Sequence, residues 1–488
     1  MSTSNSELPE QTNSSDLFLP RPPEAGAGKA LRLTQQLRAA ILSGQLAEGE
    51  RLPPTRVLAA DLGISRSVVV QAYSDLVADG YLEARQGAGT RVRGRAAAPE
   101  PAEDVAPATL LQTPAAIRLL GGLPDPRLFP RARWLRHYRA ALAAIPDGEL
   151  SYPDHRGAPD LRRALSAHLG RVRGVLADPD RVLVCGGVTQ GVALIGRALH
   201  RTGARRIAVE DPCFAPHRSA LALTGLTPVP IPVDDRGLDV DRLAEHDVAA
   251  VLLAPAHSFP AGATLDRDRR DALLAWARQA DALVIEDDYD ADLRYDRTPI
   301  GALQGQAPQH VAYLGSASKT FSPALRLGWI VAPPDLRAAL EQEKRHDDMG
   351  SSLIEQLAFA RLVHSGDLAR HLRRTRPVYR RRRDAVIAAL ARQLPDAVPA
   401  GAAAGLHLHL ALPGDTDMDV LVAAAYRRGV LLEDAAMHWA NPADAAPALV
   451  LGYGTLDEAT VRPSIATMAE AVSLARRTQA VRRQAACS

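Results

Sequence analysis

Short apolar runs alternate with amphipathic stretches from Ile117 onward. The runs RVLVC, RIAVE, AAVLLA, DALVIEDD, HVAYLG and LGWIVA are of buried-strand type. The stretches between them, such as Gln190–Leu199 and Arg267–Ala280, have the apolar spacing of helices. This alternation predicts an α/β domain built on a mainly parallel sheet with helices on both faces. Functional side chains in such a sheet lie just past the carboxyl ends of the strands.

Composition divides the chain into segments. Residues 1–28 are rich in Ser, Asn, Pro and Gly, which predicts a disordered tail. Residues 29–95 carry ten Lys or Arg against six Asp or Glu and form a small basic module. Residues 96–115 are rich in Ala, Pro and acidic residues, which predicts an extended linker. The α/β domain takes residues 116–478 and ends in a smaller α+β part, and residues 479–488 are a second tail.

The basic module has the pattern of a winged helix-turn-helix. Gly63 separates two short helical patterns, and Ser65 can cap the second one. The stretch YLEARQGAGTRVR follows as two short strands about a Gly-rich turn. We therefore predict an N-terminal, mainly helical DNA-binding domain for double-stranded promoter DNA; a small helical bundle without a DNA role is the alternative. The predicted DNA-binding residues are Arg56, Ser65, Arg66, Ser67, Arg85 and Arg91.

Cysteine usage and apolar run length indicate the compartment. The three cysteines show no paired spacing, so we expect a reducing environment without a disulfide framework or a zinc site. No apolar run reaches the ~20 residues that span a bilayer, and the N-terminus lacks a signal-peptide core. The sequence predicts a cytoplasmic protein that has no contact with the membrane.

Lysine is rare in this sequence and one lysine stands at a strand end. Of 58 Lys and Arg residues only Lys29, Lys319 and Lys344 are lysines. Arg cannot form an imine, whereas a partly buried Lys can. Lys319 follows the run HVAYLG within GSASK, so it is a candidate for covalent binding of an aldehyde; the alternative is a surface lysine on a loop.

Other strand ends carry residues that suit one ligand. GGVTQG can hold a phosphate at a helix start or be an ordinary helix start. Phe214 can lie over a flat ring or pack in the core, and the bent loop PAHSFPAG presents His257. Asp287 can hold a protonated ring nitrogen and Tyr289 can donate to a ring oxygen, unless both belong to a solvated acidic loop. With Lys319, these features describe a site for pyridoxal 5′-phosphate (PLP).

The ordered motifs resemble a known family. LPPTR, LGISR and GAGT in the basic module resemble the GntR bacterial regulators. LFP, SYPDHRG, PAHSFPAG, IEDDYDADLRYD, SASK and PALRLG resemble, in order, the MocR/GabR subfamily. In that subfamily a winged helix is fused to a fold-type I aminotransferase-like domain. The resemblance implies a homodimer that binds promoter DNA and senses PLP or a PLP–amine adduct, with an amine or amino acid as a possible effector.

The resemblance also implies residue roles. Lys319 is the catalytic-type lysine that binds PLP covalently, Asp287 pairs with the ring nitrogen, Tyr289 with the ring hydroxyl, and Phe214 stacks on the ring. Tyr152 reaches the phosphate of the partner subunit. The phosphate is held in the same subunit by Val188, Thr189, Ser316, Ser318 and Arg326.

Two stretches differ from working aminotransferases. Phe259 stands where their loop carries an Asn, and the stretch Leu449–Leu451 lacks the Arg that binds a substrate carboxylate. We therefore expect weak or no transaminase activity. The resemblance implies that the protein controls genes of vitamin B6, amine or amino-acid metabolism. An active aminotransferase with an attached DNA-binding domain is the alternative, and a plain repressor whose large domain only dimerises is another. His407 and His409 are expected to be structural because the sequence shows no further metal ligands nearby.

Overall fold

The computed structural model describes residues 28–85, 89–93, 117–295, 300–401 and 404–487. The chain divides into two compact units, Met1–Ala108 and Thr109–Ser488. The predicted tail of residues 1–28 lies outside the described residues except for Gly28, and the predicted linker of residues 96–115 lies outside them entirely. Among the helices of the described residues, none has the length and apolar character needed to cross a membrane.

The smaller unit is a three-helix fold with a β-hairpin. Its elements are α1 (Lys29–Leu42), α2 (Thr55–Leu62), α3 (Arg66–Ala78), β1 (Leu82–Arg85) and β2 (Gly89–Val92). Gly63, with φ +62°, makes the turn between α2 and α3 in the left-handed region that favours glycine. Leu33, Val69 and Leu76 are fully buried in the core of the unit. The two strands pair antiparallel, so the predicted helix-turn-helix and wing are confirmed.

The larger unit is built on an eight-stranded sheet. Its strands are β4 (Val182–Cys185), β5 (Arg206–Asp211), β6 (Thr227–Asp234), β7 (Gly237–Leu238), β8 (Ala250–Leu253), β9 (Leu283–Asp288), β10 (Val311–Ser316) and β11 (Gly328–Val331). They lie in the order β4-β11-β10-β9-β8-β5-β6-β7. The pairs β10–β9, β9–β8, β8–β5 and β5–β6 are parallel, while β11 runs antiparallel to both of its neighbours. Each predicted strand is present.

Helices cover both faces of this sheet. They are α4 (Arg131–Ala144), α5 (Pro159–Arg173), α6 (Val188–Arg201), α7 (Ala215–Leu223), α8 (Val240–Ala244), α9 (Arg267–Ala280), α10 (Pro334–Asp348), α11 (Leu353–His364) and α12 (Asp367–Gln393). Strand alternation sends Ile285 to the core under α6 and Val284 to the core under α9. Gly366, which adopts φ +71°, separates α11 from the Arg-rich α12.

The C-terminal part is a smaller α+β layer. It holds β12 (Val398–Ala400), β13 (His407–Ala411), β15 (Ala448–Gly452), α13 (Met418–Arg427) and α14 (Glu458–Cys487). The three strands pair antiparallel, and β14 (Val430–Leu431) pairs in parallel with β3 (Ile117–Arg118). The helix α14 continues to Cys487, where the sequence analysis expects a tail over residues 479–488. Its late residues are mostly Ala, Arg and Gln, which are good helix formers even when solvated.

Candidate functional site

Lys319 lies three residues beyond β10, at the carboxyl edge of the large sheet. The hydroxyl of Ser316 accepts a hydrogen bond from the backbone N–H of Ser318 at 3.0 Å, which closes the turn that leads to the lysine. Gly122 adopts φ +70° beside it, and a Cβ on Gly122 would lie 2.8 Å from Lys319 Nζ. The amine therefore faces a backbone that carries no side chain.

The surroundings of Lys319 favour its neutral amine. Burial lowers the pKa of Lys319, because a charged ammonium loses hydration there, and Asp290, Asp287 and Glu433 oppose this by attracting the charge. A neutral amine is the form that can attack an aldehyde. The position thus suits a covalent lysine better than an ordinary surface cation.

Asp287 and Asp288 are adjacent in β9 but face different surroundings. Asp288 accepts hydrogen bonds from Arg173 Nε at 2.7 Å and from the Tyr313 hydroxyl at 2.6 Å. Asp287 instead lies with its Oδ2 3.6 Å from Nδ1 of His217. Strand alternation explains the difference, because consecutive side chains point to opposite faces. Asp288 is thus part of a buried ion pair, and Asp287 faces the site.

Asp287 has an oxygen without a partner. Its Oδ1 is buried and has no hydrogen-bond partner among the described residues. Burial raises the pKa of Asp287 well above its usual range, and the neighbouring carboxylates of Asp288, Asp290 and Glu210 raise it further. Buried polar atoms are normally hydrogen-bonded. A protonated ring nitrogen is a donor that this oxygen could accept from, and its charge would offset the surrounding negative charge.

His217 is a residue of the site that the sequence analysis missed. It lies in α7, three residues after Phe214, and the two rings meet edge to face with centroids 4.9 Å apart. Burial lowers the pKa of His217 to about 4, so the imidazole beside Asp287 is neutral near pH 7. The helical spacing from Phe214 was the available signal, since residues three apart share a helix face.

Tyr289 and His257 are brought together by their loops. The Tyr289 hydroxyl lies 3.1 Å from Nδ1 of His257, and the same nitrogen lies 2.8 Å from Oδ2 of Asp290. Burial raises the pKa of Tyr289 well above its usual value, so the phenol keeps its proton. A protonated phenol in this position can donate to a ring oxygen, which is the role expected from the sequence.

His407 lies closer to other ligand-type residues than the sequence suggested. Its ring centroid is 4.9 Å from that of His257, and ligand atoms of His257, Asp290 and His407 all lie within 4.8 Å of one another. The expectation that no further ligands are near His407 is wrong. Asp290 and His257 lie 117 and 150 positions earlier in the sequence, and the fold brings them next to His407. Burial and nearby histidines hold the pKa of His407 well below its usual value. Because His257 Nδ1 already contacts Asp290 and the Tyr289 hydroxyl, the three-residue cluster is continuous with the predicted cofactor residues.

A concave cradle lies where a phosphate is expected. The helix α6 begins at Val188, so Val188 and Thr189 occupy its first turn with free backbone N–H groups. Gly187 adopts φ +116°, and a Cβ on it would lie 3.3 Å from a guanidinium nitrogen of Arg326. Ser316 ends β10, and Ser318 follows two residues later in the turn that leads to Lys319. Backbone donors, hydroxyls and a guanidinium are the groups that bind phosphate, so these residues together with Asp287 and Lys319 fit PLP.

Tyr152 is the one cofactor residue predicted from the sequence that lies apart. Its side chain is 82% exposed, and no hydrogen bond or ring contact joins it to the other predicted residues in the described part of the chain. The sequence analysis assigned it to the phosphate of a partner subunit, and an exposed tyrosine is compatible with that assignment. Phe214 lies at the site but packs against Phe259 with ring centroids 5.5 Å apart.

The predicted DNA-binding residues lie on the surface of the smaller unit. Ser65, Arg66 and Ser67 are exposed at the start of α3, although Ser65 makes no side-chain cap and its hydroxyl instead lies 2.9 Å from that of Ser67. Arg66 Nε lies 3.4 Å from the Thr55 hydroxyl oxygen. The other predicted residues, also exposed, are Arg56 in α2, Arg85 in β1 and Arg91 in β2. In the wing, Arg85 pairs with Glu83 and Arg91 donates to the Gly49 carbonyl oxygen.

Comparison with known proteins identifies both units. The family model "Bacterial regulatory proteins, gntR family" matches residues 29–92, and the model "Aminotransferase class I and II" matches residues 130–435. The chain is similar to the HTH-type pyridoxine biosynthesis transcriptional regulator PdxR of Corynebacterium glutamicum, with 33% identity over 91% of this chain and 96% of the relative. The chain belongs to the MocR-type GntR regulators. It is accordingly a transcriptional regulator with a winged helix-turn-helix and an aminotransferase-like effector domain.

The chain is also similar to a second regulator and to a solved aminotransferase structure. The probable rhizopine catabolism regulatory protein MocR of Rhizobium meliloti is 30% identical over 90% of this chain and 93% of its own length. The kynurenine aminotransferase of Pyrococcus horikoshii is 28% identical, with a TM-score of 0.68 over 75% of this chain and 92% of that one. The first aligns with both units, while the second covers a share close to that of the larger unit.

This MocR-type chain departs from the enzymes at two buried positions. Phe259 packs edge to face with His407 and His438, at centroid distances of 4.8 and 4.9 Å. Val450 is fully buried in β15, in the stretch where a carboxylate-binding Arg is expected. Both positions therefore present apolar side chains in place of the polar groups that orient an amino-acid substrate.

Proposed function

We propose that the larger unit binds PLP and that its occupancy changes how the smaller unit binds promoter DNA. The observation that carries the proposal is that Lys319 follows β10 at the sheet edge where the end of β9 carries Asp287, whose buried Oδ1 has no hydrogen-bond partner among the described residues. A lysine that forms an imine and a carboxylate that holds a ring nitrogen are the two groups that this cofactor requires. When bound, PLP supplies an aldehyde carbon and an electron-withdrawing ring.

The other predicted residues would complete the cofactor site. Tyr289 would donate to the ring hydroxyl with support from His257, and Phe214 would cover one ring face. The phosphate would be bound by the first turn of α6, by Ser316 and Ser318, and by the Arg326 guanidinium, whose nitrogen lies near Gly187. We further propose a homodimer in which Tyr152 reaches the phosphate site of the other subunit, and the 82% exposure of this side chain supports that contact.

The smaller unit would contact DNA bases through α3 and the DNA backbone through α2 and the wing. Arg66 and the two flanking serines stand at the start of a 13-residue helix, where base edges and phosphates can be reached. Arg56, Arg85 and Arg91 would contact the backbone. The identity to a pyridoxine biosynthesis regulator supports vitamin B6 genes as targets, and the identity to a rhizopine catabolism regulator supports amine or amino-acid genes.

An active aminotransferase is the second candidate, since the site retains Lys319, Asp287 and the neutral His217 beside Asp287. The apolar Val450 and Phe259 argue against it, because nothing there would position a substrate carboxylate. We expect transamination of common amino acids to be several decades below the ~1 s⁻¹ of an ordinary enzyme. Turnover at that rate would establish the second candidate.

The test uses the full-length protein and the rarity of its lysines. Wild-type protein mixed with PLP should show the visible absorption of a lysine imine, and borohydride should fix the cofactor on the peptide that holds Lys319. The Lys319→Ala variant should lose both signals, while Lys29→Ala, which changes a lysine of the other unit, should keep them. Adding PLP should change the mobility shift of promoter DNA for the wild type and for Lys29→Ala, and it should have no effect for Lys319→Ala.

The opposing outcomes are specific. Visible absorption that persists in Lys319→Ala, or cofactor fixed on another lysine, would reject the proposed site. If PLP binds at Lys319 and leaves DNA affinity, half-site spacing and transcription unchanged, the site stands but the sensing role fails.

A further inference from the structure

Two consecutive glycines, Gly121 and Gly122, lie between Lys319 on one side and Glu433 and Val450 on the other. The backbone N–H of Gly121 donates to Glu433 Oε2 at 2.8 Å. A Cβ on Gly121 would lie 2.6 Å from Val450 Cγ1 and 3.4 Å from Glu433 Oε2, and a Cβ on Gly122 would lie 2.8 Å from Lys319 Nζ. Because neighbouring Cα atoms are about 3.8 Å apart, Lys319, Glu433 and Val450 all lie against the same two-residue stretch of backbone.

Glu433 is held in place but not saturated. Its Oε1 lies 2.9 Å from Nε2 of the buried His438, and its Oε2 accepts from Gly121. Each carboxylate oxygen can accept two hydrogen bonds, so each retains capacity for one more donor. The two fixed partners orient the carboxylate, and the remaining lone pairs can accept from a further N–H group of a ligand.

The charge around Lys319 is negative. The charged groups that raise its pKa are Asp290, Asp287 and Glu433, all carboxylates. Asp287 would be taken by the ring nitrogen of PLP, and Asp290 is bonded to His257. Glu433 alone has no task in holding the cofactor. Where an amino-acid enzyme needs a guanidinium, this pocket presents an apolar Val450 beside a carboxylate.

We propose that the effector of this regulator is an amine with a second ammonium group and no carboxylate, and that Glu433 binds the second ammonium. The inference rests on the proposed PLP site, since that site defines the pocket. A carboxylate on the ligand would face Glu433 and be repelled, whereas an ammonium would gain a charge-assisted hydrogen bond. The ligand class is therefore a short diamine.

The test compares three ligands that share a four-carbon chain and differ only at one end. 1,4-Diaminobutane ends in an ammonium, 1-aminobutane in a methyl group and 4-aminobutanoate in a carboxylate. We expect calorimetry on the PLP-loaded full-length protein to show diaminobutane binding about 10- to 100-fold tighter than aminobutane. Aminobutanoate should bind more weakly than aminobutane. Of the three ligands, only diaminobutane should change the mobility shift of promoter DNA by the PLP-loaded protein.

Two variants locate the effect. Glu433→Gln keeps the shape and removes the charge, so diaminobutane and aminobutane should then bind within about threefold of each other. Asp434→Asn removes a charge one residue away, where the side chain caps a short helical turn, and it should keep the wild-type preference. PLP affinity and thermal unfolding should match the wild type in both variants, which shows that they are folded.

The outcomes separate the two proposals. If PLP does not bind the wild type, the proposed function fails first. If PLP binds but the two amines have equal affinity, aminobutanoate binds tightest, none of the three binds, or Glu433→Gln keeps the preference, the diamine inference is wrong and the PLP site stands.

Discussion

The two aspartates of β9 give the sharpest test of the site, because one substitution should affect the cofactor and its neighbour should affect the fold. We compare Asp287→Asn and Asp288→Asn, each with and without PLP. The Asp288 change leaves Arg173 buried without its carboxylate partner, to which Arg173 Nε donates a hydrogen bond at 2.7 Å. Breaking such a buried pair costs about 3–5 kcal/mol of the free energy of unfolding.

The expected melting shift follows from the size of the larger unit. Its roughly 380 residues, at about 2.1 cal/mol/K each, give an unfolding entropy near 0.8 kcal/mol/K. A loss of 3–5 kcal/mol therefore lowers the Tm of the cofactor-free Asp288→Asn protein by roughly 4–6 °C. The Tm of cofactor-free Asp287→Asn should match or exceed that of the wild type, because the change removes a carboxyl whose pKa is raised by burial and whose Oδ1 has no partner among the described residues.

The response to PLP should have the opposite order. Wild-type protein at PLP 100 times its apparent Kd gains about 2.7 kcal/mol. Loss of one charge-assisted hydrogen bond, worth about 1.5–3 kcal/mol, weakens Kd about 10- to 150-fold in Asp287→Asn. The gain then falls to between about 1.4 and 0.3 kcal/mol at the same PLP concentration. Asp288→Asn should keep most of the wild-type gain.

Thermal unfolding followed by circular dichroism, with a PLP titration of each variant, measures both effects. The reasoning is refuted if cofactor-free Asp287→Asn melts as low as Asp288→Asn. It is also refuted if PLP stabilises the two variants equally, since the assignment of the two faces of β9 would then be wrong.

Two further predictions concern DNA binding and pH. Arg66→Ala should weaken specific DNA binding about 5- to 150-fold and relax the preference at one base per half-site, while Arg91→Ala should weaken binding to all sequences and reduce the salt slope by about one phosphate contact. Mobility shifts over a salt series distinguish them, and equal effects of both variants on random DNA would disprove the assignment. The pKa of His217 is lowered to about 4, so between pH 4 and 6.5 the unfolded chain binds a proton that the folded chain does not, and stability rises with pH across that window. From pH 7 to 4 the cofactor-free wild type should lose roughly 3 kcal/mol more than His217→Asn in urea unfolding, and parallel pH curves would contradict this.

Local patterns were sufficient to predict the sheet. The six strand runs are short and apolar on both faces, which only a sheet covered on two sides satisfies. The same patterns predicted that Asp287 and Lys319 lie at strand ends at one edge of the sheet, where the structure has them. Their roles toward a cofactor stay predictions.

What the sequence could not reveal depends on contacts between distant residues. Glu433 meets Gly121 across 312 positions, and His407 meets His257 across 150, so no local spacing indicates either pair. Ser65 was expected to cap α3 through its hydroxyl, but Ser67 offers that hydroxyl a nearer partner.

The scarcity of lysine has a practical consequence for chemical labelling. Lys344 is fully buried, bonded to Asp348 and 2.8 Å from the Ser351 hydroxyl, so it is shielded from amine-reactive reagents. Lys29 belongs to the other unit, and Lys319 has a lowered pKa that favours the reactive neutral amine. Acylation within the larger unit therefore falls on one residue, the residue that a bound aldehyde would block. Because arginine replaces lysine almost everywhere in the chain, acylation of the larger unit at Lys319 reports whether an aldehyde occupies that residue.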